Sequence, residues 1–385
     1  METKTGTAKS SEQSFPITGK LDPTFAPVWD AFSQGFTEGE EQGSCLAVMI
    51  DGKPVVDIWG GFKDIAGIKP WEENTICNGM SVGKGIAATC LHMLIDRGAV
   101  DLDAPVARYW PEFAAGGKEK LLVRWVLDHR SGLPLLTDDL WPGAIFDWNV
   151  MTEALAAQAP MWEPGTQPAY HIRTFGFLVG EIVRRVSGKD FSTFFRDELA
   201  TPFSLDYFFG VPDSELPRCA EFIGRPDNPS MDPNSMFARA GRQWPVPLDY
   251  NSRDFRQSAI PSSNGHGTAR AVARFYSIMA NGGSLDGKRA LSAATVAVAG
   301  SEQYWGKEAV IGRTNRQALG YLLNSPQFPI GKGKNAYGQS GMGGAMGYCD
   351  PDRKLAVGYI PNKMHAMSNI GPRIMRIIEA LDRCV

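Results

Sequence analysis

Two groups of β-strand signals, one near each end of the chain, constrain the fold more than any other feature. Near the N-terminus, residues 45–50 and 54–59 are β-prone runs on either side of Asp51-Gly52, a dipeptide typical of tight hairpin turns. Near the C-terminus, strand-like runs separated by turns cover residues 318–323, 336–349 and 355–360. The pattern predicts an α+β fold. One antiparallel sheet is built from both chain ends, is flanked by helices, and receives a mainly helical insertion.

Helical patterns fill the middle of the chain. After Ser81, apolar residues recur at helical spacing as far as Arg97-Gly98, so a helix is predicted to begin at Ser81. Further helical runs are predicted at residues 121–129, 151–158, 175–186, 269–280 and 370–381. Residues 204–263 instead show little periodicity, and a loop of this length in a compact domain is usually functional. We expect this segment to lie over a site.

The chain length predicts two packed subdomains, because 385 residues exceed the usual size of a single domain core. Residues 15–85 and 265–385 form the expected sheet subdomain. Residues 86–264 form the expected mainly helical subdomain, with long loops over the site. Residues 1–14 are polar, and we expect them to be a disordered leader.

Composition and charge exclude several classes of protein. With 43% hydrophobic and 21% charged residues, the chain has an ordinary globular composition. Its 39 Lys and Arg residues against 42 Asp and Glu give a net charge of −3 without a basic block, so no nucleic-acid partner is expected. The apolar runs fall far short of the ~20 residues that cross a bilayer, so no membrane partner is expected either.

The N-terminus and the cysteines predict a cytoplasmic protein. Residues 1–14 lack the apolar segment and cleavage site of a secretory signal, although a signal removed earlier would leave no trace. The six cysteines are scattered without a C-x-x-C pair, so we expect reduced thiols rather than disulfides or a zinc site. No metal or cofactor is expected. The oligomeric state stays open, a homodimer included.

Residues 78–84 contain two overlapping catalytic patterns that share one serine. G-x-S-x-G spans residues 79–83, and S-x-x-K joins Ser81 to Lys84. The first pattern belongs to a nucleophile elbow, which needs a strand before the serine, an acid and a histidine after it, and repeated βαβ units. Several histidines follow Ser81, so residue order leaves this scheme open. The near absence of strand signals in the middle third argues against it.

The S-x-x-K pattern has a direct physical basis. Residues three apart share one face of a helix, so Lys84 lies beside the Ser81 hydroxyl. The helix N-terminus and burial both disfavour a protonated amine, so Lys84 can serve as a base although a free lysine titrates near ~10.4. The same helix terminus stabilises the developing serine alkoxide. Alone the pattern is weak, because a chain of this length gives about one chance match.

Three further segments strengthen the interpretation of Ser81 and Lys84 as a catalytic S-x-x-K pair. Residues 122–134 (LVRWVLDHRSGLP) resemble the LLSHTSGLP signature of the serine β-lactamase and penicillin-binding-protein superfamily. Tyr170 follows in PAYHIRTFG, and GQSGMGG occupies residues 338–344. Ser81-x-x-Lys84, the Tyr170 segment and residues 338–344 resemble, in this order, the S-x-x-K, Y-x-N or S-x-N, and K/H-T/S-G elements of that superfamily. The resemblance runs from about residue 44 to the C-terminus and is closest to class C β-lactamases and family VIII carboxylesterases. It implies a β-lactamase-like fold.

The resemblance implies a role for each matching residue. Ser81 is the nucleophile, Lys84 is its base, and Tyr170 is a second base that shuttles protons. The backbone N–H groups of Ser81 and Met342 form the oxyanion hole. The third element makes Gln339, Ser340 and Gly341 substrate-binding residues.

Two departures from the superfamily pattern bear on the substrate. Ile172 stands two residues after Tyr170, where class C β-lactamases have an Asn. The surrounding Tyr-His-x-x-Thr-x-Gly pattern looks like that of family VIII esterases. Gln339 replaces the usual Lys or His, so a fixed charge for a substrate carboxylate is missing there. We therefore expect a serine carboxylesterase that cleaves compact, mostly uncharged small-molecule esters through an acyl-enzyme. A β-lactamase or D-alanyl peptidase/transpeptidase is the alternative enzyme, and a noncatalytic scaffold is the alternative from another class.

Other candidate residues have a structural interpretation. His129, His171 and His266 are expected to hold backbone or neighbouring side chains rather than to act directly. Four aromatic residues in a loop-rich stretch fit a pocket wall and the helical core equally well. They are Trp141, Phe146, Trp148 and Trp162.

Overall fold

The computed structural model describes residues 1–224, 232, 234–242, 248–365 and 370–385. The strands are β1 (Glu2–Lys9), β2 (Ser14–Leu21), β3 (Gly43–Ile50), β4 (Lys53–Gly61), β5 (Cys77–Asn78), β6 (Tyr207–Phe208), β7 (His266–Gly267), β8 (Ser284–Leu285), β9 (Lys288–Arg289), β10 (Tyr304–Lys307), β11 (Thr314–Gln317), β12 (Leu322–Leu323), β13 (Tyr337–Ser340), β14 (Met346–Asp350) and β15 (Leu355–Pro361). The helices are α1 (Ala26–Thr37), α2 (Gly83–Asp96), α3 (Val123–Leu127), α4 (Trp148–Ala157), α5 (Thr174–Ser187), α6 (Phe191–Phe195), α7 (Met236–Arg242), α8 (Arg253–Gln257), α9 (Ala269–Ala280), α10 (Ala293–Ala299) and α11 (Pro372–Asp382).

A ten-stranded antiparallel sheet joins the two ends of the chain. Its strand order is β1-β2-β4-β3-β15-β14-β13-β12-β11-β10. The junction is the β3–β15 pair, in which Val48 lies opposite Val357. The predicted α+β fold with one sheet from both chain ends is therefore confirmed.

The β3–β4 hairpin forms around the predicted turn. Asp51 (φ 49°) and Gly52 (φ 77°) both adopt left-handed backbone conformations. Two successive left-handed residues give the turn whose twist matches the flanking strands, and Asp-Gly is a preferred pair there. The hairpin prediction is confirmed.

Helices cover both faces of the sheet. In β3, Leu46 and Val48 belong to a buried cluster that includes α1 and α11, whereas Ala47 and Met49 belong to a second cluster that includes α2 and α9. Successive strand residues point to opposite faces, so β3 is buried on both sides. The second cluster extends into the helical middle and there includes Leu178 of α5. Because it contains residues from both expected subdomains, the division at residues 85/86 and 264/265 stays a prediction.

The prediction that residues 1–14 form a disordered leader is wrong. These residues contain all of β1, which pairs along its whole length with β2, from Glu2 opposite Leu21 to Lys9 opposite Ser14. Lys4 and Gly6 lie against the ring of Trp29 in α1, which the sequence interpretation also missed. The strand forms the edge of the sheet and is mostly exposed. Its polar composition therefore reflects contact with solvent rather than disorder.

The segment 204–263 contains more local structure than expected. It includes β6, α7 and α8, and residues 225–231, 233 and 243–247 lie outside the described residues. β6 pairs with β7, which also pairs with β5 just before Ser81. All six cysteines are free. Within the described ranges, no helix combines the length and apolar character required to span a membrane.

Candidate active site

Ser81 lies in a tight turn that leads into α2. The turn is a 3-10 helix of Met80–Val82, and Met80 has a left-handed backbone (φ 51°) that is rare for a residue with a long side chain. The Asn78 side chain accepts a hydrogen bond from the Met80 N–H at 2.8 Å, and the Gly79 N–H donates to the Gly265 carbonyl at 2.9 Å. Backbone strain of this kind persists only where the surroundings hold it, and it is common at active sites.

Lys84 is completely buried beneath this serine. Its Nζ lies 3.0 Å from Ser81 Oγ, and it donates to the carbonyl oxygens of Ile172 (2.8 Å) and Ser262 (2.9 Å). Burial, together with the nearby charge of Arg173, holds the pKa of Lys84 well below its usual value. A neutral amine has two N–H donors and one lone pair. The carbonyls take the two donors, so the lone pair is directed to the Ser81 proton.

Tyr170 contacts both groups. Its hydroxyl shares a hydrogen bond with Ser81, and its ring centroid lies 4.8 Å from Lys84 Nζ. Its backbone N–H donates to Glu308 Oε2 at 2.8 Å. Burial raises the pKa of Tyr170, although the hydrogen bond with Ser81 and the charge of Arg313 oppose this shift. The tyrosine is therefore protonated at neutral pH and can donate its proton.

A mostly apolar cleft opens over Ser81 and Tyr170. The long segment expected to lie over the site contributes Phe237. The other residues that line the cleft are Ile172, Ile311, Arg313, Ser340, Gly341, Met342, Gly343, Gly344, Ala345, Met346, His365, Ile370 and Ile374.

The predicted third element lies directly across the cleft from the serine turn. A Cβ atom on Gly341 would come within 2.3 Å of the Gly79 carbonyl oxygen, so the two backbones approach as closely as glycine allows. The Met342 N–H, which follows β13, has no hydrogen-bond acceptor among the described residues. Ser81, Lys84, Tyr170, Ser340, Gly341 and Met342 are thus brought together, and their catalytic and binding roles stay predictions.

Gln339 does not face the cleft, so its expected contact with substrate is wrong. Its side chain is completely buried, and its Nε2 donates to the Gly320 carbonyl at 3.0 Å. The reason is strand alternation, because Gln339 and Ser340 point to opposite faces of β13. The expected preference for uncharged esters loses its structural basis with this residue.

The three histidines named from sequence lie outside the lining of the cleft. His129 Nδ1 accepts the His171 N–H at 3.1 Å, and the His129 ring centroid lies 5.0 Å from that of Tyr170. Burial lowers the pKa of His171 and of His266 to about 4. All three rings are buried, and they pack behind the site rather than in it.

The four aromatic residues also lie away from the cleft lining. Trp148 donates to the buried Glu181 at 2.7 Å and packs against Phe177, so it belongs to the helical core. Trp141 is 55% exposed on the surface. None of the four lines the cleft over Ser81, but Trp141 and Phe146 line a separate open pocket and Trp162 packs in the cluster that contains Tyr170.

Several groups at the site were missed by sequence reasoning. Glu308 holds the Tyr170 backbone, and Arg313 and His365 line the cleft. Ile172 and Ser262 act through backbone carbonyls, for which the residue type carries no signal. In the ranges that the structure describes, no cluster of three or more His, Cys, Asp or Glu side chains could hold a metal ion.

Comparison with known proteins agrees with this geometry. The Beta-lactamase family matches residues 28–382. The esterase/beta-lactamase LipL of Mycobacterium tuberculosis is 36% identical over 365 residues, which cover 90% of this chain and 83% of that protein. A crystal structure of a family VIII carboxylesterase is 37% identical with a TM-score of 0.89, and the match covers 96% of this chain and 100% of that one.

A penicillin-binding protein homolog from Caulobacter crescentus is 35% identical, also with a TM-score of 0.89, over 96% of this chain and 100% of that one. The resemblance stated from the sequence motifs is therefore confirmed. The family match spans nearly the whole chain, including Ser81, Lys84, Tyr170 and Met342. The chain belongs to the Beta-lactamase family.

Proposed function

We propose that this protein is a serine carboxylesterase of the family VIII kind, which cleaves compact esters through an acyl-enzyme. The observation that carries the proposal is the 3.0 Å contact between Lys84 Nζ and Ser81 Oγ, made by a buried lysine whose other two bonds go to carbonyl oxygens. Similarity to an esterase/beta-lactamase and to a family VIII carboxylesterase supports a hydrolase.

In the acylation step, the Ser81 proton passes to Lys84 as Oγ bonds to the ester carbonyl carbon. The carbonyl oxygen becomes an oxyanion, and we assign its stabilisation to the N–H groups of Ser81 and Met342. Collapse of this intermediate breaks the bond to the alcohol oxygen. Tyr170 gives its proton to the departing alcohol and regains one from the Lys84 ammonium.

Deacylation reverses these proton transfers with water in place of the alcohol. A water molecule loses its proton to the Tyr170–Lys84 pair and attacks the acyl carbon. The Ser81 oxygen leaves and recovers a proton, which releases the carboxylic acid. The apolar walls of the cleft suit the hydrocarbon parts of a compact ester.

Hydrolysis of β-lactams or of D-alanyl peptides is the second candidate function. It is supported by the similarity to the penicillin-binding protein homolog and by the name of the mycobacterial relative. Turnover of a chromogenic cephalosporin, measured beside turnover of a nitrophenyl ester, separates the two functions.

The test of the proposed function compares Ser81→Ala with Ser301→Ala, a matched change at an exposed serine. We expect nitrophenyl acetate turnover and fluorophosphonate labelling to disappear in folded Ser81→Ala and to persist in Ser301→Ala. Substantial ester turnover by folded Ser81→Ala overturns the mechanism. A wild type that neither labels nor turns over any ester or β-lactam supports a noncatalytic scaffold instead.

A further inference from the structure

We propose that Arg313 is a specificity-determining residue that binds a carboxylate on the alcohol part of the ester. The inference rests on the proposed function and adds a substrate class to it. Arg313 is the last residue of the β10–β11 connection, and it lines the same cleft as Ser81 and Tyr170. An arginine in this cleft takes over the role that the sequence motif suggested for position 339, but from the connection between β10 and β11.

The arginine side chain is held in place by its neighbours. Its Nε donates to Asn315 Oδ1 at 2.7 Å, and its guanidinium carbon lies 3.9 Å from the ring centroid of Phe328. One donor and one face of the guanidinium are therefore already in use. A guanidinium fixed in this way loses little conformational entropy when it binds a ligand.

The Arg313 side chain forms no ion pair with a described acid, and its Nε is bonded to the neutral amide of Asn315. Glu308 is the acid whose charge acts on it, but the Glu308 oxygens already accept the backbone N–H groups of Tyr170, Val310, Ile311 and Arg313 itself. The two terminal nitrogens of Arg313 donate to no described group, so they are available to a ligand.

The rest of the cleft makes this charge unusual. Its lining is dominated by aliphatic and aromatic side chains and glycines, and His365 is the other basic side chain in it. A partly buried cation beside apolar walls is costly unless a partner compensates it. A carboxylate can pair with the two terminal nitrogens of a guanidinium at the same time. The chemical partner that fits best is therefore a planar anion carried by the substrate.

The position of Arg313 beside Tyr170 assigns the anion to the alcohol part. Tyr170 is the proposed donor to the departing alcohol, and it lines the same cleft as Arg313. The backbone N–H groups of both residues donate to the two oxygens of one carboxylate, Glu308, which places them side by side. A carboxylate bound to Arg313 would thus lie on the leaving-group side of Ser81. We infer that the preferred esters carry an acidic alcohol part.

The experiment uses two acetate esters that differ in one charge, 4-acetoxybenzoate and its methyl ester. The kcat/KM ratio of the anionic over the neutral ester is measured in the wild type and in Arg313→Met. Comparing this ratio between enzymes cancels the different reactivity of the two esters. We expect the ratio to fall roughly 10- to 100-fold in Arg313→Met, as for loss of a charge-assisted bond. Arg313→Lys should give an intermediate ratio.

Arg316→Met is the matched control on strand β11. Arg316 pairs with Glu302 and lies outside the cleft lining, so its loss should leave the ratio unchanged. An unchanged ratio in Arg313→Met, or an equal fall for both esters, overturns the proposal. Absence of turnover of any ester by the wild type, by contrast, is failure of the proposed function itself.

A second measurement needs no variant, in case Arg313→Met does not fold. Wild-type turnover of nitrophenyl acetate is measured with 4-hydroxybenzoate or 4-hydroxybenzamide as competitor. We expect the carboxylate to inhibit more tightly than the amide, and the difference to shrink as salt rises. Equal inhibition by both compounds contradicts the proposal.

Discussion

Arg373, on the C-terminal helix α11, donates a 2.7 Å hydrogen bond to the carbonyl oxygen of Gly343. Gly343 follows Met342 in the turn that faces Ser81, so a helix on the opposite side of the sheet supports the expected oxyanion hole. Arg373 is itself held by the buried carboxylate of Glu41 at 2.9 Å, and Tyr359 donates to the same carboxylate. The buried ion pair therefore helps to fix the turn, in addition to the turn's own hydrogen bonds from Gly341 to Ala345 and from Gly344 to Gly341.

Replacing Arg373 with methionine should lower both stability and activity. The change leaves Glu41 buried without its cation, which typically costs ~3 to 5 kcal/mol, and it removes the donor to Gly343. We expect a lower urea midpoint and a lower kcat for nitrophenyl acetate. The double variant Glu41→Gln/Arg373→Met should recover part of the stability but not the kcat, because Gly343 still lacks its donor. Full recovery of kcat in the double variant contradicts a positioning role for Arg373.

Gly341→Ala should separate the two backbones that face each other across the site. The new methyl group would lie 2.3 Å from the Gly79 carbonyl oxygen and 3.1 Å from Met80 Cβ, and neither backbone can move without moving Ser81 or Met342. Loss of one oxyanion donor commonly lowers kcat by ~10² to 10³-fold, and we expect a fall of that order in ester turnover.

The matched control is Gly306→Ala, on strand β10 of the same sheet. A Cβ atom there meets no heavy atom within 4 Å, so stability and turnover should stay close to those of the wild type. If Gly341→Ala keeps a kcat similar to that of Gly306→Ala, the close approach of Gly341 to Gly79 is not needed for catalysis.

Gln339→Lys tests whether position 339 faces the protein interior or the substrate cleft. The buried amide donates to the Gly320 carbonyl, so a lysine would place an ammonium group in the interior with no acid partner described there. We expect a lower free energy of unfolding and no gain in kcat/KM for carboxylate-bearing β-lactams relative to neutral esters. A folded variant whose preference shifts toward the charged substrates would show that position 339 does contact substrate.

Gln339 shows how much of the site could be predicted from the sequence. The motif located the strand and the turn correctly, but residues 339 and 340 point to opposite faces, and the motif alone did not say which one faces the cleft. The Asp51-Gly52 hairpin was predictable because two left-handed residues need that chemistry. The role of Arg313 was not predictable, because the residue precedes a short strand and reaches the cleft only through tertiary packing.

Sequence alone was equally limited at the N-terminal strand and at the groups beneath Ser81. β1 is polar because it is an exposed edge, and an exposed strand has a composition similar to that of a disordered segment. The contact between Ser81 and Lys84 was predictable from their spacing. The carbonyls of Ile172 and Ser262 that orient this amine come from distant segments and carry no residue-type signal.

Lys84→Met tests the base and its lowered pKa together. The side chain keeps most of its bulk but loses the amine, so acylation should slow by ~10² to 10⁴-fold, the range for a lost general base. In the wild type, kcat/KM should rise with pH through the lowered pKa of Lys84, because only the neutral amine accepts the Ser81 proton. The small residual activity of Lys84→Met should lack that rise. A near-normal acylation rate in the variant would instead restore the histidine-dependent G-x-S-x-G scheme.

The contribution of Lys84 to the free energy of unfolding should also rise with pH. Between the lowered pKa of Lys84 in the folded protein and ~10.4 in the unfolded chain, the unfolded state holds one more proton at this side chain. The contribution of Lys84 to the free energy of unfolding therefore rises with pH across that window and is lost as pH falls. Urea unfolding of the wild type and of Lys84→Met at several pH values between 7 and 10 gives the difference directly. We expect the wild type to gain stability relative to the variant as pH rises, and a difference that stays constant would mean that the amine is protonated in the folded protein.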